Sequence, residues 1–469
     1  MRTETMVPIA PTIDAAGFKM VDVASPSLFE TCVRFLHEDP WERLRLLRQL
    51  MPKTPLTTLV RGRNLFAWAR YPNDVVELCM QCLKKAGIDC VQPYDTLHDF
   101  RNLEWPIHVA KEVGLRVAGC LGFISSPVHT DAYWAGKASE YLALGADAVY
   151  VEDGSGLLTP ERARTLIPAL REAVGTAELQ LHLHCCTGLA EEVSREAIRL
   201  GIDCMHTVSL PLANGASNMA TIDVLNRAQE LGMDAAPDRQ RVREIDDYFF
   251  WAAYQQKQSI EPPLEFDLPA YQKYAEHQVP GGMVSHLVSQ LSQLGLVHRL
   301  PQILEEVARL RQELGYPGMF TPFSQIICVQ ALVNVLEGER YRTVSRELSL
   351  YARGYYGKPP APIDPNVLDR IVRDEKPLDP SEMFLEPLAD KVRSQEGPFS
   401  SDEELLLSIW YGRAALEKHR EGKKTLQRHS AVGTPLAALI MELGKRRDIN
   451  VVSLEKGPLR LRYVAGPEG

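Results

Sequence analysis

Two histidines stand one residue apart in LQLHLHCCTG, residues 179–188: His182 and His184. Side chains alternate across an extended strand, so both imidazoles point one way while Leu181 and Leu183 point the other. Two imidazoles on one face can ligate a single divalent ion. They can equally be a hydrogen-bonded pair inside the fold. Cys185 alternates onto the leucine face. Cys186 returns to the histidine face, although a thiolate there is the less expected ligand.

The elements around this pair define the scaffold. From residue 18 to about residue 212, short β-branched runs alternate with amphipathic helical stretches. The strand-like runs are FKMVDVA (18–24), PLTTLV (55–60), IDCVQPY (88–94), RVAGCLGF (116–123), DAVYVE (147–152), LQLHLHCC (179–186) and IDCMHTV (202–208). Strict strand–helix alternation means parallel βαβ units, and the spacing predicts a closed (β/α)8 TIM-type barrel. In such a barrel Leu181 and Leu183 face the helices and the histidines face the axis. The histidines also lie at the C-terminal end of their strand, where barrels of this type build active sites. Only seven strands are found against the expected eight. The chain opens on a helix-like piece, MVPIAPTIDAAG, so the strand apparently missing is the first.

Beyond residue 285 the pattern is helical, as in SHLVSQLSQLGLVHRLPQILEEVARLRQELG and SQIICVQALVNVL. GKPPAPIDP, residues 357–365, reads as a linker or wrapping segment. The end of the chain reads as an apolar helix, TPLAALIMELGKRR, followed by the hairpin-like INVVSLEKGPLRLRYV. The expected organisation is therefore a barrel over 1–284, a helical domain over 285–425 and a small helix-plus-hairpin tail over 426–469.

Composition narrows the function classes. A formal net charge of −9 over 469 residues, with no block of Lys and Arg, argues against a nucleic-acid surface. No apolar run reaches about 18 residues, so no membrane span is expected. The start lacks the apolar core of a signal peptide, and nine scattered cysteines imply no disulfide framework; a cytoplasmic protein with reduced thiols is expected. Cys79 and Cys82 form a lone CxxC in a helical pattern and read as helix packing, not as zinc ligands.

Taken together, several stretches resemble one family. HEDPWERLRLLRQLMP, LVRGRN, YPNDVVE, FRNLE, SSPVHT, EDGSGLLTP, HLHCCTG, PGGMVSHLVSQL and TPFSQIICVQALVNVLEGERYRTVSREL are similar, in order and spacing, to the carboxyltransferase component of biotin-dependent enzymes. That group includes the oxaloacetate decarboxylase alpha subunit, the central transcarboxylase subunit and the carboxyltransferase domain of pyruvate carboxylase. The resemblance runs from residue 1 to about residue 425. It implies a divalent metal (Zn, Mn or Co) at the barrel mouth, a small 2-oxo acid polarised as its enolate, and carboxyl transfer to or from biotin. It also implies a homodimer.

Carried onto this chain, the resemblance places the metal-binding histidines on His182 and His184. It places the arginine that binds the substrate carboxylate on Arg61 and the proton-shuttling threonine on Thr321. Without the resemblance, Arg61 would read as an ion-paired arginine and Thr321 as the N-cap of a helix. Other positions depart from the family. Its carbamylated lysine falls on Glu152, whose arm is several bonds shorter. An expected aspartate falls on Glu30, and a tyrosine beside the substrate becomes Trp68. The metal-binding aspartate belongs to the first-strand motif, ahead of Met1 here.

No Met-Lys-Met biotinylation motif occurs, so biotin is expected in trans, on a carrier subunit. The tail resembles the piece preceding the carrier domain in some biotin carrier proteins, which makes a biotin carrier or biotin carboxylase subunit its expected partner. Three activities follow: a carboxyltransferase or decarboxylase acting on a 2-oxo acid, a catalytically silent paralogue serving assembly, or a metal-dependent barrel lyase or aldolase.

Overall fold

The computed structural model describes residues 1–373, 378, 385–422, 443, 446, 451–456 and 459–464. All seven expected strands form, in the expected order: β1 Val21–Ala24, β2 Leu56–Val60, β3 Cys90–Pro93, β4 Arg116–Gly122, β5 Ala148–Asp153, β6 Glu178–Cys185 and β7 Cys204–Met205. Each pairs in parallel with the next, giving the curled wall of a TIM-type barrel. A further short strand, β8 Gly215–Asn218, runs antiparallel to β6 and sets Asn218 opposite His184. Among the described residues β7 does not pair with β1, so the wall is open there. Lys19, just ahead of β1, reaches across to Glu178 at the start of β6, with 2.8 Å between charged atoms.

Local chemistry explains why these elements start where they do. Thr130 and Thr159 each accept a hydrogen bond from the third backbone N–H of the helix they precede, Asp131–Ala143 and Pro160–Val174. Asp39 does the same for Pro40–Leu50, with Pro at the first helical position. The connecting helices cover the outside of the wall. Leu179, Leu181 and Leu183 of β6 point into that apolar layer and are buried. Each buried leucine contributes about 1.5–3 kcal/mol. A one-residue slip would expose all three and bury the polar face, so this burial decides which way the histidines point.

MVPIAPTIDAAG, residues 6–17, is helical over Ala10–Ala15, and a short helix, Thr3–Met6, leads into it. Ile9 and Ala16 there pack on Ile245, Tyr248 and Phe249 of helix Arg239–Gln255. The N-terminal segment thus joins the outer helical layer.

Two larger cores are distinct. Residues between Leu97 and Ile371 that flank the barrel mouth form one, built on helices Gly281–Gln293, Leu300–Glu313 and Phe323–Glu337. A single helix therefore runs across residue 285, where the sequence pattern changes. The final helices, Ala389–Glu396, Asp402–Tyr411 and Arg413–Gly422, pack instead into the barrel's own core. Trp410 stacks on Trp41 with ring centroids 6.1 Å apart, and Phe29 and Phe66 complete the cluster. The 357–365 segment wraps across both regions: Lys358 N–H donates to Asp99, and Ala361 N–H donates to the Gly315 carbonyl. Val451–Lys456 and Leu459–Val464 form the expected antiparallel hairpin. The expected tail helix, residues 434–447, lies outside the described residues apart from 443 and 446. Among the described residues no helix is long and apolar enough to cross a membrane. Cys79 and Cys82 are buried in helix Asn73–Lys85, as packing residues.

Candidate active site at the barrel mouth

Strand β2 delivers Arg61 to the C-terminal rim, where a tight turn closes: Arg61 N–H donates to the Leu65 carbonyl at 3.0 Å. The Arg61 side chain is buried. Its Nε donates to the Tyr94 hydroxyl (3.2 Å), one terminal nitrogen donates to the Ala67 carbonyl (3.1 Å), and the guanidinium lies 4.8 Å from the centre of the Trp68 ring. Among the described residues, then, its partners are neutral groups rather than a carboxylate. A buried guanidinium held this way keeps charge in hand for an incoming anion.

Thr321 sits on the other wall of the same cleft, brought there by the helical region. Arg61, Trp68, Tyr94, Thr96 and Thr321 all line this cleft. Tyr94 ties the two walls together, since its hydroxyl donates to the Thr321 carbonyl (3.4 Å) while accepting from Arg61. Thr96 Oγ1 donates to the same carbonyl at 3.0 Å. The Thr321 side chain does not cap the following helix, whose N-cap position is Pro322. Its hydroxyl is therefore not spent on the helix end. Burial pushes the Tyr94 hydroxyl up to about 12, so it stays protonated and keeps this bridge.

His182 and His184 face the barrel interior as alternation requires. Their Nε2 atoms are 3.0 Å apart. Two imidazole nitrogens bound to one ion at about 2.1 Å also stand roughly 3 Å apart, so the pair fits two positions of a divalent ion. Among the described residues no group of three or more His, Cys, Asp or Glu side chains is arranged to hold a metal. The fit is therefore to two nitrogen donors. Glu152, opposite His182 in the β5–β6 register, turns its carboxylate elsewhere. Oε2 accepts from Cys120 Sγ at 3.2 Å and from the Tyr150 hydroxyl at 3.3 Å. Burial raises its pKa above the usual carboxylate value. Cys186 is no ready thiolate either: burial pushes it up to about 12. Glu30 lies apart from the cleft on helix Pro26–Thr31 and pairs with Arg34 at 3.0 Å.

Several residues of the interior escaped the sequence reading. Asp22 of β1 lies close enough to Glu152 for the two carboxyl groups to interact, although its side chain is exposed to solvent. His206, just past β7, meets His182 with their Nδ1 atoms 3.1 Å apart. Burial pushes His206 down to about 4 and lowers His182 and His184 as well, so all three rings are neutral near pH 7. The available signal for His206 was its place at the end of IDCMHTV, matching His184 at the end of the preceding strand. Phe320 roofs the interior from the helical region. A Cβ added at Gly122, the end of β4, would stand 2.8 Å from its ring, so glycine there is what lets the ring descend. No local pattern announces such a contact.

A family model described as "Conserved carboxylase domain" matches residues 275–456. A pyruvate carboxylase subunit from Methanocaldococcus jannaschii is 37% identical over 423 residues, covering 89% of this chain and 74% of its own. The 2-oxoglutarate carboxylase large subunit of Hydrogenobacter thermophilus is 32% identical over 383 residues, covering 81% of this chain and 58% of its own. Among solved structures, the carboxyl transferase domain from Rhizobium etli pyruvate carboxylase with pyruvate and biocytin superposes with a TM-score of 0.83. It is 25% identical and covers 91% of this chain and 75% of that one. With its parallel barrel wall, its roofing helical region and these relatives, the chain belongs to the family of carboxyltransferase components of biotin-dependent carboxylases.

Proposed function

We propose that this chain transfers a carboxyl group between biotin, carried on a separate subunit, and a small 2-oxo acid of the pyruvate or oxaloacetate type. The observation that carries this reading is the convergence of Arg61 and Thr321 on one cleft, joined through Tyr94. Arg61 receives the substrate carboxylate. The Trp68 ring under the guanidinium holds it in place. Thr321 Oγ1 then moves one proton between the carbon next to the oxo group and the biotin nitrogen. In the carboxylating direction that carbon loses its proton and gains the carboxyl carbon. The biotin N–C bond breaks, and the nitrogen takes the proton. His182 and His184 would hold a divalent ion, which when bound polarises the oxo group. A biotin carrier or biotin carboxylase subunit is the partner, and a homodimer is the assembly we expect. Two relatives act on different acids by name, a pyruvate carboxylase subunit and a 2-oxoglutarate carboxylase subunit, so the choice of acid rests on the cleft.

The test is decarboxylation or carboxyl exchange on a panel of 2-oxo acids with free biotin. Thr321→Val should lower kcat by about 10²-fold or more with little change in KM, as loss of a proton-transfer group does, while Thr321→Ser keeps most of it. Equal rates for Thr321→Val and wild type would overturn the role. Trp68→Ala should instead raise KM for the acid roughly 3- to 30-fold, the worth of a cation–π contact, with kcat nearly unchanged. An unchanged KM would remove the ring from substrate binding.

One observation favours a second reading, a subunit kept for assembly without turnover. Glu152 is committed to Cys120 and Tyr150, and no set of three ligands forms among the described residues. No turnover on any acid in the presence of the partner subunits would select it.

A further inference from the structure

The inward face of β6 carries Glu178, Gln180, His182 and His184 in succession, and His206 from the end of β7 slots between the second and third. The contacts form one unbroken file. Lys19 Nζ lies 2.8 Å from Glu178, and Gln180 Nε2 donates to the Glu178 carboxylate at 2.8 Å. Gln180 Oε1 lies 2.8 Å from His206 Nε2, His206 Nδ1 lies 3.1 Å from His182 Nδ1, and His182 Nε2 lies 3.0 Å from His184 Nε2.

From Glu178 as far as His182, the direction of each hydrogen follows from the first member of the file. A carboxylate only accepts, so the Gln180 amide must turn its nitrogen to Glu178 and its oxygen to His206. That oxygen only accepts, so His206 carries its hydrogen on Nε2. A neutral ring has one such hydrogen, which leaves His206 Nδ1 bare. The facing His182 nitrogen must then be Nδ1–H, and His182 Nε2 is left with the free lone pair. His184 Nε2 faces that lone pair at 3.0 Å, and the Gly154 backbone also takes a hydrogen bond from the His184 ring.

We propose that His206, backed by Gln180 and Glu178, is a positioning residue that locks His182 as its Nδ1–H tautomer and so presents Nε2 at the barrel mouth. Nothing in the sequence pattern assigns His206 this part. The functional value of the lock rests on the reading that His182 Nε2 meets an ion or the reacting oxygen. The lock itself does not. Removing the acceptor at His206 leaves His182 free to place its hydrogen on either nitrogen and to turn its ring. Outer partners of ligating histidines typically govern metal affinity by about 10- to 100-fold.

The experiment uses the full chain, metal-free and labelled with ¹⁵N-histidine. Long-range ¹H–¹⁵N correlation reads the tautomer directly, with His182 assigned by its loss in His182→Ala. Wild type should show His182 as Nδ1–H. His206→Phe should convert it to a mixture or to Nε2–H, and His206→Gln, whose amide oxygen can accept from Nδ1–H, should restore it. Gln180→Leu removes the same lock one step earlier and is read if His206→Phe does not fold. A parallel cobalt titration should show about 10- to 100-fold weaker binding in His206→Phe and recovery in His206→Gln. An Nε2–H signal in wild type, or the same tautomer in wild type, His206→Phe and Gln180→Leu, overturns the proposal. A tautomer change without cobalt binding in any variant supports the lock and overturns the metal reading alone.

Discussion

Arg61→Ala is expected to lower kcat/KM for the 2-oxo acid by about 10²- to 10³-fold, measured by steady-state carboxyl transfer. The expectation rests on what surrounds the guanidinium. It is buried, and its partners among the described residues are a phenol, a backbone carbonyl and an indole ring. Its desolvation is therefore not offset by a protein carboxylate, and a substrate carboxylate would supply the missing charge. Truncating one partner of a buried, hydrogen-bonded charge pair costs about 2–5 kcal/mol, which spans the range quoted above. Arg61→Lys should recover only part of the loss. An ammonium is a point charge and cannot present the planar fork that Nε and the terminal nitrogens give. Because Arg61 is not half of an ion pair among the described residues, Arg61→Ala should leave the thermal midpoint near that of wild type. A variant that loses stability but keeps kcat/KM would show a structural arginine instead.

The second large effect is expected at His182. Purified wild-type chain should bind about one divalent ion, read by metal analysis after gel filtration. His182→Ala should bind almost none, and activity should fall with it by about 10²-fold or more. Only two nitrogen donors converge here among the described residues, so removing one leaves a single imidazole, too weak a site to retain an ion through purification. His184→Ala should behave alike for the same reason. Glu152→Gln makes the contrast. Its carboxylate faces Cys120 and Tyr150 rather than the histidines, so metal content should hold. Loss of metal in Glu152→Gln would show that the carboxylate swings to the ion when one is bound. Retention of metal in His182→Ala would show that the histidine pair is a hydrogen-bonded feature of the fold.

What could be read without coordinates were the features with a short-range cause. Alternation along LQLHLHCC is a property of the strand itself, so the opposed faces of leucine and histidine followed directly from period-two geometry. The seven strands followed from β-branched runs punctuated by helix caps and glycines. The strand boundaries were read too generously, most of all in IDCMHTV, which forms a strand only over Cys204–Met205. The likeness to a known family singled out Arg61 and Thr321, and the structure sets both on one cleft.

Tertiary structure alone decided the rest. Tyr94 joins Arg61 to Thr321 because the helical region folds back over the rim, a contact between residues far apart in the chain. Glu152 could be placed on β5 from sequence, but whether its carboxylate met the histidines depended on Cys120 one strand away. Glu30 matched an expected position and was drawn off to Arg34. The helices from Ala389 onward read as a continuation of the helical region, yet Trp410 returns to Trp41 and the barrel core, because large aromatic surfaces are stabilised wherever they find partners. His206 shows the division most clearly. Its type and its place at a strand end were visible, but only the register of β6 against β7 sets its ring against His182 and orders the hydrogens along the file. Sequence determined the faces of the strands, since those depend on neighbours along the chain. Packing decided which side chains meet across them, since those contacts depend on neighbours in space.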